Sequence, residues 1–172
     1  KESSKKLKEK GFKVLESVLH NENNKEIKFY NTKKPLCSSF YKPNFEYLKK
    51  FPNVERFNII SENIFISKCL DDEIQDLHQP NFIKIDTEGS ELDILKGSNK
   101  TLSNVFGLEV ECSFNQLREK QPLFEDVRSH LENQDFIFID FVNLIRWEKD
   151  NYSFTGQPQL TDALFLKNEE IV

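Results

Sequence analysis

The chain has 172 residues, 37% of them hydrophobic and 31% charged, with a net charge of −5. That length suits one domain with a real core, spanning 1–172, and no apolar run reaches the roughly eighteen residues a membrane helix needs. Lys and Arg are scattered among Asp and Glu rather than gathered in a stripe, which argues against nucleic acid as a partner.

Cys37, Cys69 and Cys112 are far apart and odd in number, without metal-ligand spacing. They read as free thiols in a reducing cytoplasm, and no signal peptide is visible. The chain contains no Met, so it is expected to be a fragment, a processed chain or a truncated one.

In chain order, residues 4–10 read as the last turns of a helix with exposed lysines, stopped by Gly11. An apolar run at 12–20 and an alternating one at 26–31 flank the turn cluster Asn21-Glu22-Asn23-Asn24. That pattern predicts an antiparallel hairpin. Residues 32–53 are irregular, with Pro35, Pro43 and Pro52, the serine pair Ser38-Ser39 and a helical turn expected within 44–50. β-rich segments follow at 57–60 and 64–66. A short helix then opens at Cys69-Leu70-Asp71-Asp72-Glu73-Ile74, its acids placed where the helix dipole favours them.

The stretch from Phe82 to Gly97 organises the rest. Phe82, Ile83 and Ile85 read as a short strand buried on both faces, with Asp86 and Glu88 at its carboxyl end. In open α/β sheets ligands bind at that edge. Gly89 permits a sharp reversal, and Ser90 is placed to cap a helix whose first turn holds Glu91 and Asp93. Gly97 is its expected stop.

A second buried strand is expected over 105–114, with Glu111 near its carboxyl edge. A helix begins near Pro122 with Leu123, Val127 and Leu131 on one face. Residues 136–141 form a strand that 142–147 extends or turns from, 151–159 a polar loop, and 160–166 a closing strand. The order predicts an α/β domain with a largely parallel sheet flanked by helices.

The run Ile83-Lys84-Ile85-Asp86-Thr87-Glu88-Gly89-Ser90-Glu91, followed by Ile94-Leu95-Lys96-Gly97, resembles the central signature of the FkbM-type methyltransferases. So do the Leu70-Asp71-Asp72 element before it, the strand ending in Glu111 and the closing Asp162-Ala163-Leu164-Phe165. The resemblance covers roughly residues 5–167. It implies a class I, Rossmann-like methyltransferase fold, S-adenosylmethionine as cofactor, and a hydroxyl acceptor on a saccharide or a lipid- or polyketide-like small molecule.

Such folds hold the cofactor with a Gly-rich turn after the first strand and an acid ending the second. Only five glycines are present, at 11, 89, 97, 107 and 156, and no two have Gly-x-Gly spacing. The cofactor-binding opening is therefore expected upstream of Lys1, and the 172 residues alone are expected to bind S-adenosylmethionine weakly or not at all. A non-catalytic remnant of the fold, used for binding, is the competing reading.

Methyl transfer to a hydroxyl needs an aligned acceptor oxygen and a group to take its proton. Asp86, Glu88 and Glu111, ending neighbouring strands, are the candidate catalytic residues. Asp86, beside the reading of a turn-forming residue, is also the candidate acceptor-binding group or metal ligand, and together with Gly89 it is the expected cofactor contact. Ser38, Ser39 and Trp147 are candidate substrate contacts. Glu91 reads as a helix-dipole residue, while Asp162 and His20 read as structural. Whether a divalent cation binds is left open, since the acids lack a diagnostic spacing.

Overall fold

The computed structural model describes residues 2–149 and 156–168. Residues 151–155 of the expected polar loop lie outside that range, and 157–159 already belong to the last strand. The chain opens with helix α1 (Glu2–Glu9), ended by Gly11 at φ +86°. Strands β1 (Val18–Leu19), β2 (Glu26–Thr32) and β3 (Ile59–Lys68) make a three-stranded sheet in the order β1-β3-β2. Between β2 and β3 lie a 3-10 turn at Pro35–Cys37, helix α2 (Phe45–Leu48) and a second 3-10 turn at Val54–Phe57.

The expected hairpin is corrected here. β1 pairs with β3 in parallel and β2 pairs with β3 antiparallel, so the two never meet. None of 12–17 is strand; only Val18 and Leu19 find a partner edge.

After α3 (Leu70–Glu73) come β4 (Phe82–Ile85), α4 (Glu91–Lys96), α5 (Asn99–Leu102), β5 (Gly107–Ser113), α6 (Phe124–Glu132), β6 (Phe136–Trp147) and β7 (Gln157–Lys167). The four strands form a second sheet in the order β4-β5-β7-β6. Only β4 and β5 are parallel; β7 inserts antiparallel between β5 and β6. The largely parallel sheet is thus replaced by two mixed sheets. The reason lies in the connections, because a parallel pair needs a crossover, and in this sheet only β4 and β5 are adjacent strands joined by one, through α4 and α5.

The main core lies on one face of the second sheet. Ile85, Leu108, Val110, Cys112, Ala163 and Phe165 pack there against Leu92 and Leu95 of α4 and against α6 through Val127 and Leu131.

 The opposite face carries Lys84, Glu109, Glu111 and Asp162, with Lys84 bonded to both Glu109 and Asp162. The strand Phe82–Ile85 is therefore not buried on both faces: Ile85 is buried, while Phe82 is 41% exposed at the sheet's edge. A second cluster, Cys37, Leu48, Phe57 and Leu117, with Trp147 and Leu160 against it, anchors the 32–57 segment. Among the described residues, no helix is long and apolar enough to cross a membrane.

Gly97 joins the two sheets. At φ −90° its backbone suits any residue, but a Cβ there would lie 2.3 Å from the His20 carbonyl oxygen. Contact with backbone cannot be relieved by a rotamer change. Gly97→Ala is expected to cost about 2–3 kcal/mol, the range of an overpacked site, read as a lowered midpoint in thermal or urea denaturation.

Candidate functional site

The site forms where β4 and β5 end side by side. Ile85 pairs with Val110 in the parallel ladder, so Asp86 and Glu111 emerge together at the carboxyl edge. The chain then turns sharply: Glu88 and Gly89 both take positive φ, at 59° and 116°. For Glu88 this left-handed conformation costs on the order of 1 kcal/mol. It persists because the turn is tied from several sides.

Glu91 ties it from within. One carboxylate oxygen, Oε1, accepts from the Thr87 N–H at 2.9 Å, the Thr87 hydroxyl at 3.0 Å and the Gly89 N–H at 3.0 Å. Glu91 is 5% exposed, so its role exceeds that of a helix-dipole residue. Ser90 occupies the cap position, yet its hydroxyl donates to Thr87 Oγ1 and caps no helix N–H. The carboxylate one residue later does the tying instead.

From outside, Ser39 donates its hydroxyl to the Glu88 carbonyl at 2.7 Å and accepts from the Tyr41 N–H at 3.0 Å. Arg118, on the loop after β5, is only 1% exposed. Its Nη2 donates to the Glu88 carboxylate and, at 3.4 Å, to the Cys37 carbonyl. A Cβ on Gly89 would sit 3.4 Å from Arg118 Cδ and 3.7 Å from Ser39 Oγ, so that glycine faces protein.

Carboxylate oxygens of Asp86, Glu88 and Glu111 all lie within 4.8 Å of one another. The three candidate catalytic acids thus meet at one point. Glu111 titrates far above the usual carboxylate range, at about 8, because burial penalises its charge and Glu88, Asp86 and Glu91 repel it. Glu88 is also pushed up by burial, with the Arg118 charge and hydrogen bond pulling it back. Asp86 is exposed. Such a set can share a proton or hold a hard divalent cation through oxygen ligands.

The other expected residues do not join the acid cluster. Ser39 is buried in the clamp just described, while the Ser38 hydroxyl accepts from the Thr32 N–H at 3.0 Å. Trp147 packs edge-on against Phe51 at 5.4 Å, beneath the Arg56 guanidinium at 4.6 Å from its ring centre. With those residues and Pro52 it walls a cleft of about 310 Å³. His20 stays outside the acid cluster, its Nε2 3.7 Å from Asp93, which also accepts the Tyr41 hydroxyl at 2.6 Å. Asp162 is held by Lys84 at 3.1 Å, as expected of a structural acid.

Arg118 is the residue of this site that sequence reasoning missed. Its only signal was a cation soon after a strand ending in Glu111, and nothing local to it reveals that it returns to Glu88 across the β4 turn.

No curated protein and no solved structure matches this sequence. The Methyltransferase FkbM domain does match, over residues 8–138, a span that includes β1 to β5, the acid cluster and Arg118. On that match the chain belongs to the FkbM methyltransferase domain family.

Proposed function

We propose that the chain serves S-adenosylmethionine-dependent O-methylation of a hydroxyl on a saccharide or a lipid- or polyketide-like small molecule, with Glu111 as proton acceptor. One observation carries this reading: a half-buried carboxyl titrating near 8 stands beside two further acids at adjacent strand ends. A base matched to the working pH is what removal of a hydroxyl proton requires. When bound, the cofactor would supply an electrophilic sulfonium methyl.

The chain's own groups divide the remaining work. Asp86, exposed at the strand end, is an acceptor for hydroxyl or amino hydrogens of the acceptor molecule or cofactor. Gly89 is less suited to hold the cofactor through its N–H, since that group already serves Glu91. Glu88, oriented by Arg118, raises the basicity of Glu111 by repulsion. Ser38 and Ser39 support the site by holding the 32–41 segment over the turn, whereas Trp147 walls the separate cleft with Phe51 and Arg56.

A second reading, a non-catalytic binding module, is favoured by the absence of any Gly-x-Gly spacing. Two measurements separate the readings: calorimetric titration with S-adenosylmethionine, and transfer of labelled methyl to a panel of saccharides, polyketide-like alcohols, amines and thiols. Transfer that disappears in Glu111→Gln supports the enzyme. Acceptor binding without cofactor binding, in the protein as its gene encodes it, decides for the module, and methylation of nitrogen or sulfur acceptors alone overturns O-methylation.

A further inference from the structure

The second sheet ends on β6, which is bonded to β7 along one side, and no described strand pairs with its other edge. Soluble proteins keep such edges apart with short strands, lysines, prolines or bulges. β6 runs for twelve residues and carries neither Lys nor Pro. Its middle is apolar and open to solvent: Ile139, Phe141, Val142, Leu144 and Ile145 are 37–56% exposed.

The charges on this edge are placed symmetrically. Asp140 and Arg146 stand three residues to either side of Asn143. Asp140 accepts from the Phe141 N–H at 2.7 Å, and Arg146 donates to the Gly156 carbonyl at 3.0 Å. Neither has an ion-pair partner among the described residues.

We propose that the chain dimerises about a twofold axis at Asn143, with β6 pairing antiparallel to β6 of a second copy. In that register Asp140 lies opposite Arg146 of the partner subunit, and symmetry forms the pair twice. Phe141 then meets Ile145 of the partner subunit and Val142 meets Leu144 of the partner subunit. Opposite charges and apolar pairs directly across a ladder stabilise it, whereas like charges there destabilise it. The interface is isologous, as a twofold contact must be. Register irregularities against β7 fall after Phe138, Phe141 and Ile145 and raise the local twist of β6. They leave Asn143–Ile145 in unbroken register beside the axis.

Light scattering on the full chain across a dilution series tests this. The wild type is expected at twice 20.3 kDa. Asp140→Arg or Arg146→Asp alone sets like charges opposite at two symmetric positions and weakens the dimer by about tenfold or more. The double reversal Asp140→Arg/Arg146→Asp restores it. Val142→Lys, on a 56% exposed residue, also gives monomer. Thermal melts of each variant establish that the fold is retained. A wild type that stays monomeric at every concentration overturns the proposal. So do single reversals that dimerise like the wild type, or a natively melting double variant that stays monomeric.

Discussion

Where methyl transfer is seen, Glu111→Gln is expected to reduce it by about 10²–10⁴-fold, the usual worth of a positioned general base, and in any case to make the folded chain more stable at alkaline pH. The two effects share one cause. Burial and the neighbouring acids raise the Glu111 pKa to about 8, so in its charged form it is both a good base and a costly buried group. The sign follows from proton counting. Between the ordinary carboxylate range and about 8 the folded chain holds a proton that the unfolded chain has lost, so raising the pH costs stability across that window. Gln carries no such penalty. The variant should match the wild type in acid and exceed it above about pH 8, by about 2–3 kcal/mol once the roughly 5 kcal/mol of the full shift is discounted for the partial exposure of Glu111. Activity should rise with pH along a limb near 8 in the wild type. Asp86→Asn should move that limb to lower pH, because removing a repelling charge eases ionisation of Glu111. Urea denaturation and a pH–rate profile measure both halves. An alkaline stability unchanged in Glu111→Gln would contradict the raised pKa.

The local grammar of the site was legible in the sequence, and its long-range ties were not. The run from Phe82 to Gly97 has the apolar pattern of a strand, acids at its end, a glycine where φ is positive and a helix behind it, and those elements formed in that order. The meeting of Asp86 with Glu111 was also readable, since adjacent strand ends bring such groups together. Strand pairing was harder. The runs at 12–20 and 26–31 look like a hairpin because the turn between them is short, yet the ten-residue β3 offers both of its edges and each run takes one. Position in the sheet was hidden for the same reason: three apolar residues in a stretch of four do not say whether one face or two will be covered, and Phe82 proved exposed. Glu88 in a left-handed conformation runs against residue preference, and Arg118 joins residues 81 and 30 positions away. Neither feature has a period or a spacing to betray it.

Arg118→Met is expected to be the most damaging change to the fold around the site. It keeps the side chain's length and apolar stem but removes the charge that Glu88 and the Cys37 carbonyl share. Breaking a buried ion pair from one side costs about 3–5 kcal/mol; here Glu88 keeps 31% of its side-chain surface in water, which reduces the expected loss to about 2–3 kcal/mol. The larger consequence is electrostatic. Arg118 pulls down the pKa of both Glu88 and Glu111, so without it both hold their protons to higher pH. The alkaline limb of activity should therefore move upward from about 8, and the 32–41 segment should loosen where Ser39 and Arg118 together pin it. Arg118→Lys separates these effects. A lysine keeps the positive charge but not the planar fork that reaches two acceptors, so it should recover most of the pH limb and little of the lost stability. If lysine restored both fully, charge alone would explain Arg118. If methionine left the limb in place, Arg118 would be a packing residue, and the proton on Glu111 would be governed by burial and its acidic neighbours alone.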